Sequence, residues 1–204
     1  MIDSRIASTI PLMLTALRAL LGPVVVFLSL QKPDPAIFAV CLVLAFFSDV
    51  FDGILARKLG IATPTLRRLD SLADTIFYAA ATYAVWKLYP TEITQHATAL
   101  YILFFLEVAR YLFDLLKFRR EASYHMWSSK LWGVALFLGF FSLLVFRQDN
   151  LLVQAAIYIG IIADIEGLLI SAVLPQWKND VPTLFHAVRD SRNISLSKRS
   201  PDVA

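Results

Sequence analysis

The stretch SDVFDGILARKLGIATPTLRRLDSLAD, positions 48–74, sets Asp49, Asp52, Asp70 and Asp74 between two long apolar runs. An unpaired carboxylate in an apolar medium costs several kcal/mol or takes up a proton, so four of them demand a compensating partner. On a helix, Asp49, Asp52, Gly53 and Ala56 fall at offsets of three, four and seven and share an arc of about 100°. Asp70 and Asp74 are one helical turn apart and also adjacent. Two helices joined by a short connection therefore bring four acids together, where they stay ionised only with cations between them. Hard carboxylate oxygens select Mg²⁺, Mn²⁺ or Ca²⁺, and a lone Cys41 with scattered His96, His125 and His186 offers nothing to favour zinc. A two-metal site is the economical reading. Magnesium shares its coordination with substrate phosphates, so a phosphate or diphosphate substrate is implied. Gly53 and Ala56 let a flat ligand approach the backbone, and Arg57 can neutralise a phosphate. Taken alone, small residues such as these more often mark helix packing.

The elements that must position these acids are membrane helices. Of 204 residues, 58% are hydrophobic and the mean hydropathy is +0.64, well above the roughly 45–50% apolar content of soluble domains. The chain reads as an all-α integral membrane protein with six transmembrane helices, at about Leu12 to Leu30, Ala36 to Ala56, Leu72 to Tyr89, Thr94 to Phe118, Trp127 to Phe146 and Leu151 to Leu174. The first lacks a cleavage pattern, so it is expected to be retained, with the mature chain starting near Met1. Of 19 Lys and Arg residues, only Lys32, Lys87 and Arg147 fall at the first, third and fifth connections. The positive-inside rule then places both termini in the cytoplasm and the acidic stretch at the cytoplasmic face. Basic residues beside it, including Lys58, Arg67 and Arg68, would meet anionic headgroups; lipid is the expected partner and nucleic acid is not.

Residues 1–178 form one expected membrane domain and 179–204 a polar cytoplasmic tail. Within the tail, Val181 to Arg189 is expected to form a short amphipathic interfacial helix, with disorder beyond it. The sequon at Asn193 would stay in the cytoplasm and is given no function.

Asp49, Asp52, Gly53, Ala56, Arg57, Asp70 and Asp74 resemble the signature D-x2-D-G-x2-A-R-x8-G-x3-D-x3-D of the CDP-alcohol phosphatidyltransferases, with every spacing intact. A shorter likeness lies upstream. IPLMLTALRALLGP is similar to the first-span pattern IPNxLTxxRxxxxP of phosphatidylglycerophosphate-synthase-like members through Pro11, Thr15, Arg18 and Pro23, with Leu12 where asparagine is usual.

The resemblance implies that a CDP-linked lipid donor passes its phosphatidyl group to an alcohol and releases CMP. It implies two divalent ions, Mg²⁺ or Mn²⁺, held by Asp49, Asp52, Asp70 and Asp74, with Asp74 also the base for the acceptor hydroxyl. Gly53 and Ala56 would admit the cytidine and Arg57 would contact phosphate. A homodimer in a bacterial inner membrane is implied as well. One departure stands out: Leu66 occupies the second motif glycine, which removes glycine's access to positive φ and narrows the approach to the nucleotide. It leaves two outcomes open, a rearranged donor pocket or binding without turnover.

Glu107, Arg110, Tyr111 and Asp114 form one stripe on the fourth span, read either as an internal ion pair of Glu107 with Arg110 or as a wall of the acceptor pocket. Arg110 and Lys130 are the candidates for an acceptor phosphate, with interfacial anchoring by Trp127, Lys130 and Trp132 the alternative. Asp164 and Glu166 lie about 200° apart on a helix, and neither is given a role. The leading expectation is transfer from CDP-diacylglycerol to a small polar alcohol, glycerol 3-phosphate among the candidates. Its rivals are CDP-choline or CDP-ethanolamine transfer to diacylglycerol, and a catalytically silent cation-binding scaffold.

Overall fold

The structure is a computed structural model that describes residues 4–58, 63–120 and 124–199, and the side chains of 10–55, 58, 63, 66, 68–120 and 124–194. All regular structure among them is helical: α1 (Ser4–Leu30), α2 (Pro35–Lys58), α3 (Pro64–Leu88), α4 (Pro90–Gln95), α5 (Ala97–Phe118), α6 (Trp127–Phe141), α7 (Leu151–Val173) and α8 (Leu184–Arg199). A π-helical turn, Ser142–Phe146, continues α6. Pro35, Pro64 and Pro90 open α2, α3 and α4, where a missing N–H is no loss. Asp34 Oδ1 accepts from Ala36 N at 2.8 Å before α2, and Thr63 Oγ1 accepts from Leu66 N at 3.2 Å at the start of α3, each satisfying a donor that the helix itself cannot. Arg119 and Arg147 take left-handed backbone conformations to close α5 and the π turn.

Four stretches are long and apolar enough to cross a bilayer: Ile10–Leu30, Pro35–Leu55, Trp127–Phe146 and Leu151–Val173. The other two expected spans are helices, α3 and α5, but fall short in apolar character. The reason is local. α3 is rich in Ala, Thr and Tyr, and any span-length stretch of α5 takes in Glu107, Arg110 and Asp114. Large apolar side chains such as Leu20, Phe27, Phe104, Phe105, Leu116 and Leu151 point outward, the surface that lipid covers in a membrane protein.

The chain packs as two compact units. The first comprises residues 1–94 and 140–150. In it α1 packs along both α2 and α3, with the π turn against the same two helices. Close approach is possible because the α3 face is small: Ala73, Ala80, Ala81 and Ala84 are buried. On α1 the matching position is Gly22, where a Cβ would stand 3.0 Å from Ile76 Cγ2 and 3.3 Å from Ile76 O.

The second unit comprises residues 95–139 and 151–204 and is organised by α7 packing on α5 and on α8. Ala156, Gly160, Ala163 and Gly167 form a buried small stripe along α7. The Trp132 ring lies over Gly160, and the Arg110 side chain lies over Gly167. Trp132 thus packs inside the unit, whereas Trp127 is exposed. Tyr124, Met126, Ile170, Leu174, Val181 and Ala187 make a core under the tail.

The tail helix differs from the expectation of Val181 to Arg189. It starts at Leu184 and runs to Arg199. Val181 is instead buried in the core, Thr183 O accepts from His186 N and Ala187 N, and Glu166 Oε1 accepts from Leu184 N at 3.1 Å. These contacts fix the start of the helix at the first turn after Thr183.

Candidate metal centre

α1 presents Pro11, Thr15, Arg18, Gly22 and Val25 on one buried stripe, the three-to-four-residue spacing of one helical face. Arg18 is the large polar member of that stripe and is 1% exposed. Its guanidinium reaches every one of the four aspartates. Nη1 donates to Asp49 Oδ1 at 3.1 Å, to Asp70 Oδ1 at 3.0 Å and to Asp74 Oδ1, and Nη2 donates to Asp52 Oδ2. Nε lies 3.5 Å from Ser48 Oγ, and Ser48 donates to Ala45 O at 2.8 Å. Thr15 donates to Pro11 O at 3.0 Å and sits 3.5 Å from Asp52 Oδ2.

The acids expected from sequence to converge therefore do converge, and the cation found between them is Arg18. Sequence reasoning gave that role to metal ions and used Arg18 only as part of a first-span pattern. A signal was present: an arginine in the middle of an apolar span requires an acidic partner, and the four aspartates are a cluster of acids beside apolar spans. The planar fork suits the task, since an arginine presents five donors in a fixed geometry and bonds several oxygens at once.

One guanidinium does not balance the cluster. Four carboxylates less one cation leave three formal negative charges. The acids also differ in access. Asp52 is 5% exposed at its side chain, whereas Asp49, Asp70 and Asp74 are 46%, 36% and 32% exposed. These three open acids offer carboxylate oxygens within 4.8 Å of one another, a spacing and donor set able to hold a cation. All-oxygen donors at a charged, partly open site fit Mg²⁺ or Mn²⁺. Asp52 stands outside that triad, on the sealed side.

Gly53 follows Asp52 on α2 and is half-buried. The side chains of Ala56 and Arg57 lie outside the described residues. Leu66 lies in the first turn of α3, half-buried, and is not among the non-glycine residues with positive φ. The backbone there is ordinary helix with its N–H capped by Thr63, so glycine's special conformation is not called for at this position.

A model of the CDP-alcohol phosphatidyltransferase family matches residues 8–166. The chain belongs to the CDP-alcohol phosphatidyltransferase family. No curated protein and no solved structure matches it. The matched range of this phosphatidyltransferase-family chain includes Arg18, all four aspartates and the stripe on α5, while the tail helix α8 lies beyond it. The family is one of membrane phosphotransferases of phospholipid synthesis, and the apolar helices accord with that setting.

In the second unit of this phosphatidyltransferase-family protein, Arg110 Nη2 donates to Glu107 Oε1 at 2.9 Å and Nη1 lies 3.3 Å from Asp164 Oδ1. The internal pair expected from sequence is present, and Asp164, left without a role there, is its fully buried second acid. Glu166, the other unassigned acid, accepts from Ser128 Oγ at 2.5 Å as well as from Leu184 N. Asp114 accepts from Ser171, which Tyr124 bonds at 2.8 Å. A carboxylate only accepts, so the Ser171 proton points to Asp114 and Tyr124 donates to Ser171. Burial pushes the Tyr124 hydroxyl above its ordinary range, which keeps that donor protonated. Lys130 is exposed, with Nζ 4.5 Å from the centre of the Trp127 ring, a cation–aromatic pair.

Proposed function

We infer that this protein transfers a phosphatidyl group from CDP-diacylglycerol to the hydroxyl of a small polar alcohol, releasing CMP. The observation that carries this reading is the convergence of the four signature aspartates in one cluster of a chain that belongs to the CDP-alcohol phosphatidyltransferase family. In this reading Asp49, Asp70 and Asp74, with Asp52 beside them, hold two divalent cations, Mg²⁺ or Mn²⁺. Bound there, the ions supply charge stabilisation for the diphosphate of the donor and its CMP leaving group.

The chain's own residues do the rest. Asp74 takes the proton of the acceptor hydroxyl as its oxygen attacks the phosphatidyl phosphorus, and the phosphorus–oxygen bond to CMP breaks. Asp74 is one of the open acids, as a base that meets a substrate must be. Gly53 and Ala56 leave room for the cytidine, and Arg57 contacts donor phosphate. Arg110 and Lys130 remain the basic residues offered to an acceptor phosphate such as that of glycerol 3-phosphate. Arg110 already has two carboxylate partners, so the exposed Lys130 is the freer of the two to meet an anion.

The rest of the reading is a six-span bundle in a bacterial inner membrane, with both termini and the metal centre at the cytoplasmic face, and a homodimer as the assembled form. A silent cation-binding scaffold is the second reading, favoured by a guanidinium that already bonds all four acids. The deciding experiment incubates purified protein with CDP-diacylglycerol, Mn²⁺ or Mg²⁺ and a panel of alcohols, and measures CMP. Metal-dependent CMP release that is lost in Asp74→Asn supports the transferase. No CMP with any acceptor supports the scaffold.

A further inference from the structure

The three carboxylates that can together hold a cation are the same three that converge on a single nitrogen, Arg18 Nη1. That nitrogen stands within hydrogen-bond distance of Asp49 Oδ1 on α2 and of Asp70 Oδ1 and Asp74 Oδ1 on α3. A divalent ion coordinated by these oxygens would lie about 2.0–2.1 Å from each, beside Nη1, and like charges that close repel. Ion and guanidinium therefore contend for one place.

We propose that Arg18 is a resident counter-cation of the metal centre, and that its guanidinium and a divalent ion are alternative occupants of the Asp49, Asp70 and Asp74 triad. The proposal rests on the metal reading given above. Three features support it. Arg18 is buried, with Nε 3.5 Å from Ser48 Oγ, so its charge is committed to the acids. Its bonds reach acids on both α2 and α3 and so draw α1, α2 and α3 together around the cluster. Asp52, bonded through the other nitrogen Nη2, is the sealed acid outside the triad. A guanidinium that leaves Nη1's partners can thus keep one carboxylate, pivoting on the Asp52 side.

Arg18 is a positioning residue in this scheme, and its test reads ion binding and structure instead of turnover. Wild-type protein, Arg18→Lys and Arg18→Gln, extracted with Mg²⁺ present and placed in nanodiscs, are titrated with Mn²⁺ after removal of Mg²⁺, with free ion followed by electron paramagnetic resonance. Arg18→Gln is expected to bind Mn²⁺ at least about tenfold tighter than wild type, because the ion no longer displaces a cation. Arg18→Lys is expected to lie between them. Equal or weaker binding by Arg18→Gln overturns the proposal and leaves the metal reading standing. No saturable binding by any of the three proteins overturns both.

An experimental structure of the wild-type protein with Mn²⁺ reads the same exchange with no substitution to disturb folding. Nη1 is expected to have left at least two of its three triad partners. An ion seated on those oxygens with all three Nη1 bonds intact overturns the proposal.

Discussion

Arg18 Nη1 on α1 lies 3.0 Å from Asp70 Oδ1 on α3, across 52 positions of sequence. That bond holds an open, 36% exposed carboxylate against a side chain that is 1% exposed. Asp52, on the other nitrogen, is sealed. The two acids should therefore answer differently to the same substitution. Asp70→Asn is expected to weaken Mn²⁺ binding more than Asp52→Asn does. Asp52→Asn is expected to lose more stability, by about 1–3 kcal/mol, because a buried charge-assisted bond is removed from it. Mn²⁺ titration and thermal unfolding of both variants in one detergent check the ordering.

Gly22 on α1 lies directly against Ile76 and Ala80 of α3. A valine there would drive its side chain into Ile76, whose Cγ2 and O lie 3.0 and 3.3 Å from the first added carbon. Overpacking of this kind costs about 1–3 kcal/mol. Because Arg18 is one turn away, separation of the helices also lengthens its bonds to Asp70 and Asp74. Gly22→Val is expected to lower the unfolding temperature and CMP release together, whereas Leu20→Val, at an exposed position, should change neither.

Leu66 is helical and capped by Thr63, so restoring the family glycine gains no backbone freedom that the fold uses there. Glycine in the first turn of α3 is instead expected to destabilise the helix, by about 0.5–1 kcal/mol. CMP release by Leu66→Gly is expected to stay within a few-fold of wild type. A large gain in rate would show that the leucine side chain obstructs the donor.

Arg110 holds the fully buried Asp164 in the second unit. Arg110→Leu leaves that acid without its cation, and breaking a buried pair from one side costs about 3–5 kcal/mol. Replacing both residues by leucine is expected to recover most of the loss. A double-mutant cycle of unfolding free energies measures the coupling, and additive effects of the two substitutions would contradict the pairing.

Within the sequence, 3.6-residue periodicity and hydropathy made the helices legible, and the four aspartates announced themselves by type and spacing. Helical geometry alone puts Asp49 with Asp52 and Asp70 with Asp74, since neighbours at three and four residues share a face whatever the fold. Pro35 opens α2 close to the expected Ala36, while Thr63 and Pro64 open α3 eight positions ahead of the expected Leu72. Those signals are local, and local physics reads them.

What joins the two acid pairs is not local. Only packing of α1 between α2 and α3, permitted by Gly22 against Ala80 and by the small buried residues of α3, carries Arg18 into the middle of the cluster. The same holds for Asp164, which lies 54 positions from Arg110 and meets it because Gly167 leaves room for the arginine stem. A charge on an apolar helix declares in sequence that it needs a partner. Which partner it finds is decided by which helices touch, and that depends on side-chain volumes summed along whole faces.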